Sequence, residues 1–349
     1  MGGVRRLWRR TPLLRFLTRR VVASLLLGIG ITLVAFCLTN LIPGDPAAAN
    51  LSQQALTDPE IVAAFREKHE LDQPLPTQYV RYLRNLVSGD LGVSLQSGRP
   101  VLDDLHEYAT ATLEVAGAAM VISMVFGVLF GVVAALGRDG PIDQVLRVVT
   151  LVGVSVPIFW LALVAYYVIF YKLNLLPGSG RLDPIMIAPK QVTGLLTVDS
   201  VLAGDWAALR SASAHLILPA LVLATPTIGL LTRFVRAAVL EVLADDYVRA
   251  ARAKGLPERT VIVHHVLRAA AVPIVTLLGL TFSALLSGTV LVEAIFAWPG
   301  IGQYAYRGAT TLDLPAVIGV SLFVAFVYVS LNLFVDLLYG VLDPRLRLK

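Results

Sequence analysis

Asp246-Tyr247-Val248-Arg249-Ala250-Ala251-Arg252-Ala253-Lys254-Gly255 sits inside a polar stretch, 236–270, whose neighbours on both sides are long apolar runs. Asp245 or Asp246 can cap a helix over 247–254. Gly255 can end that helix in the left-handed conformation, and Pro257 forbids its continuation. Tyr247, Ala250, Ala251 and Lys254 then share one face, at i, i+3, i+4 and i+7. The face is small and mostly apolar, with one aromatic knob, and Arg249 and Arg252 lie to its side. Two readings fit this pattern equally. The face docks in a partner's groove, or the helix lies on the anionic inner leaflet of a membrane.

The rest of the chain argues for the membrane. Of 349 residues, 56% are hydrophobic and 15% are charged, where a soluble domain carries about 25% charged residues. Six segments hold the roughly 20 apolar residues that a membrane helix needs: 21–42, 111–136, 145–171, 214–235, 271–296 and 315–341. Pro157 interrupts the third, and Pro219, Pro226 and Pro273 lie in or beside others. Lys and Arg in short loops set the orientation. The arm 1–20 carries Arg5, Arg6, Arg9, Arg10, Arg15, Arg19 and Arg20 and no acid. Placing it in the cytoplasm also puts Arg138, the six Lys and Arg of 236–270, and Arg345, Arg347 and Lys349 of the tail on that side. Segment 43–110, with five basic and ten acidic residues, then falls outside, with 172–213 and 297–314. The expected architecture is an all-α membrane protein of six transmembrane helices with both termini cytoplasmic.

The expected order is a basic arm 1–20, a first span 21–42, an external cap 43–110, a core 111–341 containing the loop 236–270, and a tail 342–349. A secretory signal ending near Ala47-Ala48-Ala49 is the rival for the N-terminus, but its apolar stretch is longer than the roughly 7–15 residues of a signal. In the cap, Ile61–His69 and Thr77–Leu86 have apolar residues at helical spacing, separated by Pro74 and Pro76. Val198–Arg210 has the pattern of a short surface helix.

Several function classes find no support. A nucleic-acid binder needs a soluble basic surface. The single cysteine, Cys37, permits neither an internal disulfide nor a cysteine metal site. His264 and His265 are adjacent, so on a helix their rings diverge. No Lys is followed by Ser or Thr, so the phosphate-binding Gly-x4-Gly-Lys-Ser/Thr loop is missing. No nucleophile–base or zinc motif for an enzyme appears, and neither do the mid-membrane proton-relay carboxylates of a secondary carrier. Glu114, Arg233, Glu293 and Asp336 lie near span ends, where local ion pairing or water contact explains most such residues.

Arg249-Ala250-Ala251, three residues, then Gly255 resembles the Glu-Ala-Ala-x3-Gly loop of ATP-binding-cassette importer permeases. Further strings resemble the first permease type of dipeptide and oligopeptide importers. They are Leu41-Ile42-Pro43-Gly44-Asp45-Pro46, Gly89-Asp90-Leu91-Gly92-Val93-Ser94, Gly98-Arg99-Pro100-Val101, Glu293-Ala294-Ile295-Phe296, Trp298-Pro299-Gly300-Ile301-Gly302 and Leu342-Asp343-Pro344-Arg345. The likeness runs from about 20 to 346. Arg249 departs from it, standing where the general motif has Glu. So does Leu267-Arg268, where many importers have Leu-Pro.

The resemblance implies a type I importer permease fold in a bacterial or archaeal cytoplasmic membrane. It implies a homologous second permease, two ATPase subunits, an external solute-binding protein and a peptide cargo. Nickel chelates and glutathione are the alternative cargoes, and a nucleotide-independent channel is the rival of another class. ATP and Mg would be used by the ATPase partners, with no cofactor on this chain. Coupling to the ATPases would fall to Asp246, Tyr247, Arg249, Ala250, Ala251, Arg252, Lys254 and Gly255. Glu293, Trp298, Pro299, Gly300 and Gly302 would lie at an outer vestibule or pore.

Overall fold

The computed structural model describes residues 26, 28–34, 36–37, 47, 51, 53–68, 72–287 and 289–342. The basic arm 1–20, most of the expected first span and the tail 343–349 lie outside them, as do Leu41–Pro46 and Asp343-Pro344-Arg345. The described chain is helical, with one isolated bridge, Val93 to Pro100, among the described residues. Its main helices are α1 (Pro59–Lys68), α2 (Leu75–Val87), α3 (Val101–Leu136), α4 (Pro141–Ser155), α5 (Ile158–Ala165), α6 (Leu196–Leu202), α7 (Trp206–Leu243), α8 (Asp246–Ala253), α9 (Arg268–Ser287), α10 (Val290–Ile295), α11 (Ile301–Thr310) and α12 (Leu314–Leu342).

Helices α3 and α7, of 36 and 38 residues, are each long and apolar enough to cross a membrane unaided. At about 1.5 Å per residue both are longer than the roughly 30 Å hydrocarbon core requires. The third expected span is not one straight helix. Helix α4 and the segment Ile158–Lys172, whose last turns Tyr166–Lys172 are π-helical, are bent by 102°. Pro157 is the cause. It lacks an N–H and drives Val156 into an extended conformation, with ψ 128°. A smaller bend of 47° lies at the start of the fifth, between Ala271 and Pro273, within the continuous α9. The surface helix expected over 198–210 splits at Gly204. Asp205 then caps α7 by accepting the Ala208 N–H at 2.9 Å.

The chain divides into two compact units. One contains the described residues up to His106 with Tyr304–Ser330. In it, Val93 to Pro100 forms a tight loop sewn down by buried carboxylates. Ser94 Oγ donates to Asp313 at 2.6 Å, and Ser97 Oγ and the Tyr304 hydroxyl donate to Asp104 at 2.6 and 3.2 Å. The polar string that closes the cap is therefore structural. The other unit holds Glu107–Gln303 and has two apolar cores. One gathers Val115, Leu218, Leu223, Val292, Phe296 and Trp298. The second gathers Val235, Val239, Val248, Ala251, Val261 and Val266 around α8.

Candidate functional site

Helix α8 forms where the sequence places it, shifted by one residue, at 246–253. Its N-terminus follows Asp245, whose side chain makes no capping bond. Its C-terminus is a complete Schellman turn. Gly255 has φ +77°, its N–H donates to Arg252 O at 2.9 Å, and the Leu256 N–H donates to Ala251 O at 3.4 Å. Arg252 and Glu258 close the turn from outside with an ion pair of 2.6 Å.

Which side of α8 is free differs from the expectation in one residue. Val248 and Ala251 are buried in the second core, against Val235 and Val239 of α7. Tyr247, Ala250 and Lys254 are exposed, as are Asp246, Arg249 and Arg252. Ala251 thus belongs to the anchoring side, and the face open to a partner is Tyr247, Ala250 and Lys254. Arg249 pairs with Asp246 one turn back. Partial burial raises the pKa of Tyr247, and Asp245 adds to the shift, so the knob stays a neutral phenol.

The second set of expected residues clusters at one place. Glu293 is 1% exposed. Its Oε1 accepts the Thr112 hydroxyl at 2.7 Å and its Oε2 accepts the Gln303 N–H at 2.9 Å. Gly300 and Gly302 lie against it, and a Cβ on Gly300 would overlap the carboxylate itself. Trp298 is buried too, and its indole N–H donates to Ala111 O at 2.8 Å. Pro299 is partly exposed. Within this chain the cluster is a knot that ties α10 and the following loop to α3, not an open vestibule surface.

Two ion clusters complete the site: local ion pairing was expected at Glu114 but its partner was not named, and the cluster at Asp143 was not foreseen. Glu114 accepts Arg181 at 2.6 Å and the Thr197 hydroxyl and N–H at 2.7 Å, pinning the loop 172–213 to α3. Arg181 also lies over the Trp298 ring, 5.7 Å from its centroid. Asp143, fully enclosed, accepts both arms of the Arg236 fork at 2.7 Å and Arg147 from its own helix. Arg147 reaches Asp139 as well, at 3.0 Å. An Asp in the first turn of a helix with Arg four residues on was the visible signal for the second cluster. Arg236, 93 residues away, was not foreseeable from it.

Comparison with known proteins agrees with this architecture. Residues 127–348 match the family described as binding-protein-dependent transport system inner membrane component, and residues 13–116 match the N-terminal part of such membrane components. The chain is 41% identical to a probable D,D-dipeptide transport system permease protein, DdpB, of Escherichia coli K12, over 95% of this chain and 96% of that one. It is 41% identical to the di/tripeptide transport system permease protein DppB of Pseudomonas aeruginosa over 96% and 99%. It is 38% identical to the dipeptide transport system permease protein DppB of Escherichia coli K12 over 97% and 100%. A chain of the inward-facing MetNI methionine ABC transporter superposes with a TM-score of 0.50, covering 68% of this chain and 96% of that one. At 15% identity that likeness speaks to the fold alone. The chain belongs to the family of binding-protein-dependent transport system inner membrane components.

Proposed function

We propose that this chain is a pore-forming permease of an ATP-driven importer of short peptides. It spans the cytoplasmic membrane six times with both termini inside, and pairs with a homologous permease. Two ATPase subunits, which carry the ATP and Mg, push α8 and its counterpart in the second permease, and an external solute-binding protein delivers the peptide. The observation that carries the reading is the build of α8. It is anchored on one side by Val248 and Ala251 and presents Tyr247, Ala250 and Lys254 on the other. A helix held this way transmits a push as a rigid body instead of yielding to it. The permease names of the relatives support the peptide cargo.

The test is purification of the tagged chain in mild detergent with identification of what accompanies it, then reconstitution with labelled dipeptide. Recovery of a second permease and ATPase subunits, with dipeptide uptake that needs ATP and the binding protein, supports the reading. A lone or homo-oligomeric chain giving flux without nucleotide refutes it. ATP-dependent uptake of a nickel chelate or glutathione in place of dipeptide refutes the cargo alone.

A further inference from the structure

Asp143 is more strongly held than a loop closure requires. Its carboxylate takes both arms of the Arg236 guanidinium at 2.7 Å, Arg147 from one turn on, and the Asp139 N–H at 2.9 Å. A bidentate fork resists rotation as well as separation, which a point charge does not. Arg236 lies in the last two turns of α7, and its neighbours Val235 and Val239 pack with Val248 and Ala251 of α8. The turns that carry α8 therefore also carry Arg236. Farther along the same pair of helices, α4 lies directly on α7. Gly229 sits so close to Val154 and to the Thr150 carbonyl that a Cβ would come within 2.6 and 2.7 Å of them. Helix α4 then ends at the 102° bend before Ile158.

We propose that Asp143 is a positioning residue that joins α4 to α7, so that α4, α7 and α8 move as one body. A displacement of α8 then emerges at Val156–Pro157, where the broken span can change its angle. The interior of a packed core transmits such motion because it does not deform continuously. This proposal rests on the reading of α8 as the helix the ATPases push.

The experiment uses the whole complex in liposomes with its binding protein. Dipeptide uptake and ATP hydrolysis are measured in the same sample. Wild-type complex without ATP-dependent uptake would defeat the importer reading and this proposal with it. Given wild-type uptake, Asp143→Asn is expected to assemble and hydrolyse ATP near the wild-type rate. Uptake per ATP should fall by at least about fivefold, the lower edge of common coupling factors. Asp143→Glu is expected to recover most of the ratio. A wild-type ratio in Asp143→Asn overturns the proposal. If that variant does not assemble, the ratio is read on Arg236→Lys, which keeps the charge and loses the fork. A lowered ratio there supports the proposal and a wild-type ratio overturns it. Loss of assembly in both variants, or a proportional fall in uptake and hydrolysis, assigns the cluster to folding alone and also overturns it.

Discussion

Replacing Gly255 tests the turn that ends α8. Its φ is +77°, and a Cβ at this position would meet nothing within 4 Å. A side chain here is opposed by the backbone only, with no clash to confuse the result. The left-handed conformation costs an L-residue roughly 1–2 kcal/mol, which is about 5–30-fold in a local opening equilibrium. Two amides report that opening, Gly255 N–H on Arg252 O and Leu256 N–H on Ala251 O. Hydrogen exchange of the segment 250–257 in nanodiscs should therefore speed up by about 5–30-fold in Gly255→Ala at these amides. Gly255→Val should be faster still, because a β-branched residue resists positive φ. Gly255→Asn should stay nearest to wild type, since Asn enters this region more readily. Wild-type exchange in Gly255→Val, or equal acceleration by Asn and Val, would refute the conformational argument.

Three further outcomes are expected. Ala251→Glu places a carboxylate against Val235 and Val239 and should cost roughly 3–5 kcal/mol as an uncompensated buried charge. Ala250→Glu, on the exposed side, should stay within about 0.5 kcal/mol in thermal unfolding while weakening pull-down of the ATPase subunits. A lower unfolding temperature for Ala250→Glu than for Ala251→Glu would show that α8 is turned the other way, and equal temperatures would remove the anchored side. Gly300→Ala overlaps the Glu293 carboxylate and should lower stability by about 1–3 kcal/mol, read as a lower Tm in detergent; an unchanged Tm would remove the close packing. Burial raises the pKa of Asp199, but the bonds it accepts from the Thr193 N–H and hydroxyl and from the Gly194 N–H outweigh this and lower it. A lowered carboxylate pKa stabilises above the unfolded value, and that contribution is lost as pH falls through the folded value. Protease resistance of 190–205 should thus exceed that of Asp199→Asn at neutral pH, with the difference closing in acid. A difference independent of pH would contradict the assignment.

Much of this fold could be read from local pattern. The apolar runs located α3 and α7, and the sequence around Asp246 and Gly255 placed α8 within one residue. Periodicity assigned Ala251 to a face but could not say which face meets the chain's own core. That depends on Val235 and Val239, which are remote in sequence and supply the neighbours. Glu293 suffered in the same way. A carboxylate near the end of a span reads as accessible until Thr112 and the Gln303 backbone are seen to enclose it. Pro157 announced a break, and its effect on Val156 fixes the extended residue, but the 102° angle depends on how α4 lies on α7.

The sequence distance between Asp143 and Arg236 also orders events during synthesis. The carboxylate leaves the ribosome 93 residues before the fork that receives it. At about 5–20 residues per second, that interval is roughly 5–20 s. For that time Arg147 is the guanidinium of the cluster at hand, and the half-made chain holds a membrane-adjacent acid whose main partner has not yet been translated. Insertion of α7 therefore completes the segment before it, and a chain stalled between the two would hold the Asp143 carboxylate with Arg147 as its guanidinium partner.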